Sequence, residues 1–278
     1  MKSFSFIFLL CSIISLNAIG SNGTQPDKKG SLYVYWGYNR SYYSKTNLHF
    51  NGPNYDFTLY DVKGADRPSP FGSVYITPGS MSVPQYDYRF GYFLTNRLAV
   101  SGGMDHMKYV VTQDQQTKIS GVIDQKASDK YAGSYLNQSI ELTADLLTFE
   151  HTNGFNFISL DLEYQQPIVR ILKGNIAFLL NSGIGGVWML TKTDVRVMGD
   201  GMDNKFHISG YAMAFKIGPR TEFLNHFFIA AELKGGYATL PSVLIKNDDP
   251  ERGSHNLGFL EYYIVAGVNF RLKKAKTN

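Results

Sequence analysis

The chain has 278 residues and a formal net charge of +4, of which removal of Lys2 leaves +3. That charge is too small and too dispersed to address nucleic acid. Nineteen Tyr and nineteen Phe against two Trp raise aromatics to 14%, a composition that suits the interfacial girdles of a membrane β-barrel.

Read from the N-terminus, Lys2, the apolar stretch Phe4 through Leu16 and the small-x-small Ala18-Ile19-Gly20 predict a cleaved export signal over residues 1–20. The apolar stretch is too short to span a bilayer, and polar Ser21-Asn22-Gly23-Thr24 follows it at once. The only cysteine, Cys11, lies inside this leader, so the mature chain has no disulfide, thiolate metal site or cysteine nucleophile. No later segment offers roughly eighteen consecutive apolar residues, which excludes a helical membrane span. Residues 21–30 read as a short periplasmic segment.

From residue 31 the dominant pattern is period-2 alternation in stretches separated by turns. Residues 31–40 set Leu32, Val34 and Trp36 against Tyr33 and Tyr35. Tyr86, Tyr88, Phe90, Tyr92 and Leu94 alternate with Asp87, Arg89 and Gly91, and Leu98 and Val100 with Ala99, Ser101, Gly103 and Asp105. Ile158, Leu160 and Leu162 alternate with Ser159, Asp161 and Glu163. Phe227, Ile229 and Leu233 alternate with Ala230, Glu232 and Lys234, and Tyr262 through Leu272 with Glu261, Gly267, Asn269 and Arg271. Segment 206–217 gives no clean period. Apolar side chains toward lipid and small or charged ones toward a narrow lumen explain the pattern. The charges Asp87, Arg89, Asp161, Glu163, Glu232, Lys234, Glu261 and Arg271 then read as an ion-pair network in that lumen.

Connection lengths set the topology. Short links at 95–97, 167–174 and 218–224 alternate with long ones at 41–84, 112–153, 191–204 and 239–256. Outer-membrane barrels show this alternation of short periplasmic turns and long outer loops. It predicts an all-β, antiparallel up-and-down transmembrane barrel over 31–272. Its eight strands lie near 31–40, 85–94, 98–111, 154–165, 175–190, 205–217, 225–238 and 257–272. Residues 54–62 read as an extra strand above the membrane, 114–130 as mobile, and 138–150 as an outward prolongation of a barrel strand. Counting 55–62 and 138–150 as membrane strands gives the alternative of ten. Gly267-Val268-Asn269-Phe270-Arg271-Leu272 resembles the terminal-strand signal read by the barrel assembly machinery, with 273–278 as a tail.

Soluble-enzyme motifs are absent: no Gly-rich phosphate loop, no Gly-x-Ser-x-Gly and no His-Glu-x-x-His. The topology instead gathers polar residues at the outer rim. His151, Asp105 and His106 are the candidate catalytic groups, since an imidazole beside a carboxylate such as Glu150 or Asp105 can act as a base. Lys108, Thr152, Asn153 and Lys234 are candidate substrate contacts. The pattern nominates no metal-ligand set and specifies no cofactor. The simpler alternative is a solvated rim.

At these residues a resemblance emerges. Phe149-Glu150-His151-Thr152-Asn153-Gly154-Phe155-Asn156 is similar to the Phe-Glu-x-Thr-Asp-Gly-Leu-Asn segment of an outer-membrane family that includes rhizobial lipid A oxidase. Asn153 stands where that family has Asp, and His151 where it has Phe. Asp105-His106-x-Lys108, Gly52-x-Asn54-Tyr55-Asp56-Phe57-Thr58, Gly183-Ile184-Gly185 and Glu232-Leu233-Lys234-Gly235-Gly236-Tyr237 resemble it in the same order over 31–272. The resemblance implies an outer-membrane barrel and oxidation of the proximal sugar of lipid A by molecular oxygen. A fainter likeness to lipid A deacylases rests on His151-x-Asn153, with no serine at their nucleophile's place.

Three functions follow as expectations: a structural or binding barrel at the cell surface, a lipid A-modifying enzyme, and a small-solute channel. The channel ranks last because side chains fill so narrow a lumen. The expected partners are outer-membrane lipid, lipopolysaccharide and the assembly machinery, with no nucleic acid.

Overall fold

The computed structural model describes residues 26–247 and 250–271. The export signal expected over residues 1–20, residues 21–25, Leu272 and the 273–278 segment lie outside them. Strands β1 (Leu32–Tyr43), β5 (Tyr86–Phe93), β6 (Leu98–Met107), β11 (Phe155–Ile171), β12 (Ile176–Thr191), β15 (His207–Phe223), β16 (Phe227–Leu244) and β17 (Arg252–Phe270) pair antiparallel in that order. Pairing of β1 with β17, from Leu32↔Phe270 to Tyr43↔Phe259, closes the ring at eight strands. Closure leaves no barrel edge, which is what a sheet in hydrocarbon requires.

The period-2 pattern decides the faces. Phe90, Leu160, Leu162, Ile184, Ile229, Leu233 and Ile264 face outward and are exposed, as an apolar belt in contact with lipid must be. Trp36 stacks on Tyr86, with ring centroids 4.7 Å apart, and Tyr42 on Tyr262 at 6.1 Å, placing aromatics on the outer wall. Segment 206–217 gave no period because the register with β12 shifts between Met189 and Leu190. Ser209 and the adjacent Gly210 are both buried while Ile208 and Tyr211 face out. One inserted residue flips the alternation there.

Two short connections are shorter than expected, because the strands run through prolines. Pro167 sits at a bulge in β11, which continues to Ile171. The β15–β16 ladder lapses between Ile217 and Arg220, around Pro219, and resumes in register. A proline removes one ladder donor without ending an otherwise well-packed strand. The real turns are 172–175 and 224–226. In the second, Leu224 and Asn225 both adopt positive φ and the His226 N–H donates to the Phe223 carbonyl at 3.0 Å, a tight hairpin turn whose twist suits its strands.

The outer loops fold into a cap. Strands β2 (Thr46–Gly52), β3 (Tyr55–Val62), β8 (Gln115–Ile123) and β9 (Gly133–Leu142) continue the barrel sheet from the outer end of β17, where β2 pairs with Arg252–His255. A second sheet runs β14 (Asp200–Asp203), β13 (Asp194–Val197), β10 (Leu147–Glu150), β7 (Val110–Val111) and β4 (Gly64–Ala65). Thus 54–62 does form a strand above the membrane. Residues 114–130, expected to be mobile, hold ordered β8, whose inward Thr117, Ile119 and Ile123 are buried. The stretch 138–150 belongs to β9 and β10 of the cap and prolongs no barrel strand. The count stays at eight, not ten.

The interior is layered. Phe50, Phe57, Tyr109, Leu147, Phe149 and Val195 of the cap join Phe155, Phe157, Met189, Leu240 and Phe259 of the barrel in one continuous apolar plug. Below it lies a charged layer. The Arg89 guanidinium reaches Asp161, Asp105 at 3.2 Å and the Tyr35 hydroxyl at 2.8 Å. The Lys216 ammonium lies 3.0 Å from Asp161 and 2.7 Å from Glu163. Glycines make the room: a Cβ at Gly91 would strike the Tyr33 ring, and one at Gly185 the Asp161 carboxylate. Tyr33, Tyr35, Phe93, Phe228 and Tyr263 form a second apolar layer. Lys28 closes the mouth at the short-turn end, bonding Glu222 at 2.6 Å and Gln165 at 2.8 Å. Arg271 is not in the lumen network. It pairs with Asp27 at 3.1 Å on the surface, where the strand leaves the barrel.

Candidate functional site

The rim residues predicted from sequence separate into three places. His106 and Asn156 are direct cross-strand partners on the outward faces of β6 and β11. The His106 Nδ1 and the Asn156 Oδ1 lie 2.7 Å apart, and the imidazole stacks on Tyr86 at 5.1 Å. Lys108 follows β6 immediately. Its ammonium donates to the Val83 carbonyl at 3.1 Å and approaches Ser69 Oγ at 3.4 Å, and it forms no ion pair among the described residues. Burial holds this ammonium below the usual lysine range; Asp66 opposes that, while Arg67 and Arg40 add to it.

These groups, with Thr152 and Asn153, line a groove of about 560 Å³ whose apolar wall includes Met104, Leu190 and Phe206. The groove opens on the bilayer-facing wall at the outer rim. Below it on the same faces come Ile158, Leu160 and Leu162. The 66–85 segment forms its upper edge and is tied down by Tyr75. The Tyr75 carbonyl accepts from the Tyr38 hydroxyl at 2.5 Å, and its own hydroxyl accepts from Arg40 at 2.6 Å. Sequence reasoning found His106, Lys108, Thr152 and Asn153 and missed Asn156 and Tyr86. Asn156 carried a signal, being a polar residue on a face that is otherwise lipid-directed.

The other three candidates lie elsewhere. Asp105 faces the lumen, bound by Arg89 and Lys234, and all three side chains are buried. Lys234 is therefore also a lumen residue, not a rim contact. The cause is parity: seven residues separate Asp105 from outward-facing Leu98, and an odd separation reverses the face. His151 is fully buried under the cap. Its ring stacks on Phe155 at 4.9 Å and lies 6.0 Å from His255, and its Nδ1 bonds Thr193 Oγ1 at 2.9 Å. Burial, then the neighbouring His255 charge, hold this imidazole well below its usual value. Glu150 turns away from it to Arg67, at 2.8 Å.

A closed eight-stranded barrel with an apolar outer belt and long loops at one end is a membrane-spanning β-barrel of the outer-membrane class. No protein-family model matches the sequence, and no curated protein matches it significantly. Among solved structures, the outer membrane protein AlkL in lipid bilayers is similar at TM-score 0.40 and 13% identity, over 94% of this chain and 99% of that one. OprG from Pseudomonas aeruginosa gives 0.35 and 11%, over 89% and 99%. Ail, the attachment invasion locus protein of Yersinia pestis, gives 0.29 and 13%, over 87% and 99%. Likenesses this distant carry no argument alone; the strand pairing and the belt place the chain in its class and in the outer membrane.

Proposed function

We propose that this protein is a plugged outer-membrane barrel that binds, at the cell surface, the phosphorylated sugar headgroup of an outer-leaflet lipid of the lipopolysaccharide class. The observation that carries this reading is a groove on the outer wall that sets polar side chains among apolar ones. His106, Asn156 and Lys108 meet there at the loop ends of β6 and β11, above the exposed apolar residues of the belt. Lys108 supplies a cation with no carboxylate partner among the described residues, suited to a phosphate oxygen. The filled lumen argues against a small-solute channel.

An oxidase-like reading of the same groove keeps His106 as its acid–base group and Lys108, Thr152 and Asn153 as substrate contacts. It has to do without His151, Asp105 and Lys234, which are buried away from the groove.

Lipid A retained by the purified barrel, quantified by mass spectrometry, tests the binding. Lys108→Ala combined with Asn156→Leu should lower retention about tenfold or more, because a hydrogen bond to a charged group contributes about 1.5–3 kcal/mol. Heat resistance of the barrel should stay unchanged. Equal retention in variant and wild type would sink the proposal. The mass of lipid A from the same cells separates binding from conversion. A new species that disappears with His106→Ala would make the groove an active site.

A further inference from the structure

Directly beneath the apolar plug, Asp87 on β5, Asp105 on β6 and Glu261 on β17 bring carboxylate oxygens within 4.8 Å of one another, all three side chains buried. Asp105 is held by Arg89 at 3.2 Å and by Lys234. The other two are not so provided. Asp87 Oδ1 accepts from Asn39 Nδ2 at 2.7 Å, while the Glu261 carboxyl has the Asp87 carboxyl within hydrogen-bond reach, two acceptors facing each other with no donor group between them. Asn39 on β1 is itself buried, and its Oδ1 also lacks a partner. Its orientation is fixed, because Nδ2 donates both to Asp87 and to the His106 carbonyl, 3.3 Å away. A flipped amide would set oxygen against oxygen at both.

Charge points the same way. In this layer three cations, Arg89, Lys216 and Lys234, face six buried carboxylates: Asp87, Asp105, Asp161, Glu163, Glu232 and Glu261. Buried carboxylates this close cannot all stay ionised without a further positive charge. A proton shared between Asp87 and Glu261 would join two of the four unpaired oxygens and leave the other two without a partner. A metal ion satisfies several at once. The donors are all oxygen, the choice of hard cations, and no nitrogen or sulfur is among them. Oxygens within 4.8 Å of one another can share one ion, and a buried, all-protein set of oxygens suits calcium, with bonds of about 2.3–2.6 Å, better than magnesium, which keeps several waters.

We propose that Asp87, Asp105 and Glu261, with the Asn39 side-chain oxygen, form a lumen site for a hard divalent cation of calcium's size. The ion neutralises the excess of carboxylates and ties together β1, β5, β6 and β17, the strands on either side of the closure. Lying under the plug, it is captured as the barrel assembles.

The test uses the full barrel. Protein purified from membranes should carry stoichiometric calcium by plasma mass spectrometry after desalting. Protein refolded with calcium chloride should melt at a higher temperature than protein refolded with EDTA. The D87N/E261Q variant should lose both the metal and the calcium-dependent shift while still folding, since each change keeps shape and removes charge. Metal-free wild type with identical melting in calcium and EDTA would overturn the proposal. So would an E261Q variant more stable than wild type in both, since a carboxyl proton would then be filling the cation's role.

Discussion

Below the plug the interior of this barrel carries its buried charges, paired in a layer above the aromatic cluster of Tyr33, Phe93 and Phe228. From Phe157 through the cap the packing is dominated by one large apolar cluster. The charged layer is contributed by barrel strands whose registers are fixed by a lipid-facing belt, so each inward charge meets its partner at a set height. The plug draws on seven loop strands, paired in two sheets whose faces no lipid-facing belt dictates. Hence removal of one part should damage the two regions differently: a lost charge strands its partners, whereas a lost methyl group leaves only a local void.

Arg89→Met should show the largest effect. It leaves Asp105 and Asp161 without the guanidinium between them, at a cost of about 3–5 kcal/mol. Assembly should fail or slow severely, read as loss of the heat-modifiable folded band in mild detergent. Normal folded levels would mean that the charged layer is not what holds the lower lumen.

Leu147→Ala in the plug should cost about 2–5 kcal/mol, but locally. The folded band should persist while protease cuts the 44–85 and 108–154 segments faster. Loss of the whole barrel would show that plug and barrel fold as one unit.

Acidification should produce the smallest effect, confined to the cap. The folded His151 value is depressed by burial and by His255, so the opened cap binds protons more readily than the closed one. Cap stability is therefore complete above about pH 7 and declines as pH falls below about 6.5, the ordinary imidazole value. Protection factors in β10 and β13, corrected for the intrinsic exchange rate at each pH, should fall between pH 7.5 and 5, less so in His151→Phe. Protection independent of pH would remove the imidazole from the cap's stability.

The same contrast explains what the sequence allowed one to read. Eight strands, their faces and most of the lumen charges followed from parity, because hydrocarbon outside and a narrow lumen inside enforce period 2. Lys216 escaped because the bulge at Ser209 and Gly210 scrambled the period of its segment. Asp105 was placed at the rim by height alone, although its alternation with Ala99, Ser101 and Gly103 already put it in the lumen. The cap obeys no such rule. In β8 the buried Gln115 and Thr117 are polar, so the segment reads as a solvated loop until β3 and β9 cover it. His151 was likewise drawn to the rim by its neighbours Thr152 and Asn153, which do lie there. Nothing local could announce that Phe155 and His255 enclose it.

The seam between β1 and β17 joins Leu32 to Phe270, so the ring cannot close until the last strand has been made and delivered. Contacts this remote in sequence form slowly. Every earlier strand must wait with its aromatic face and unpaired backbone open to other chains. Until that closure the polypeptide stays open to aggregation. A chain truncated within β17 should be a substrate for proteolysis, with no smaller barrel to fall back on.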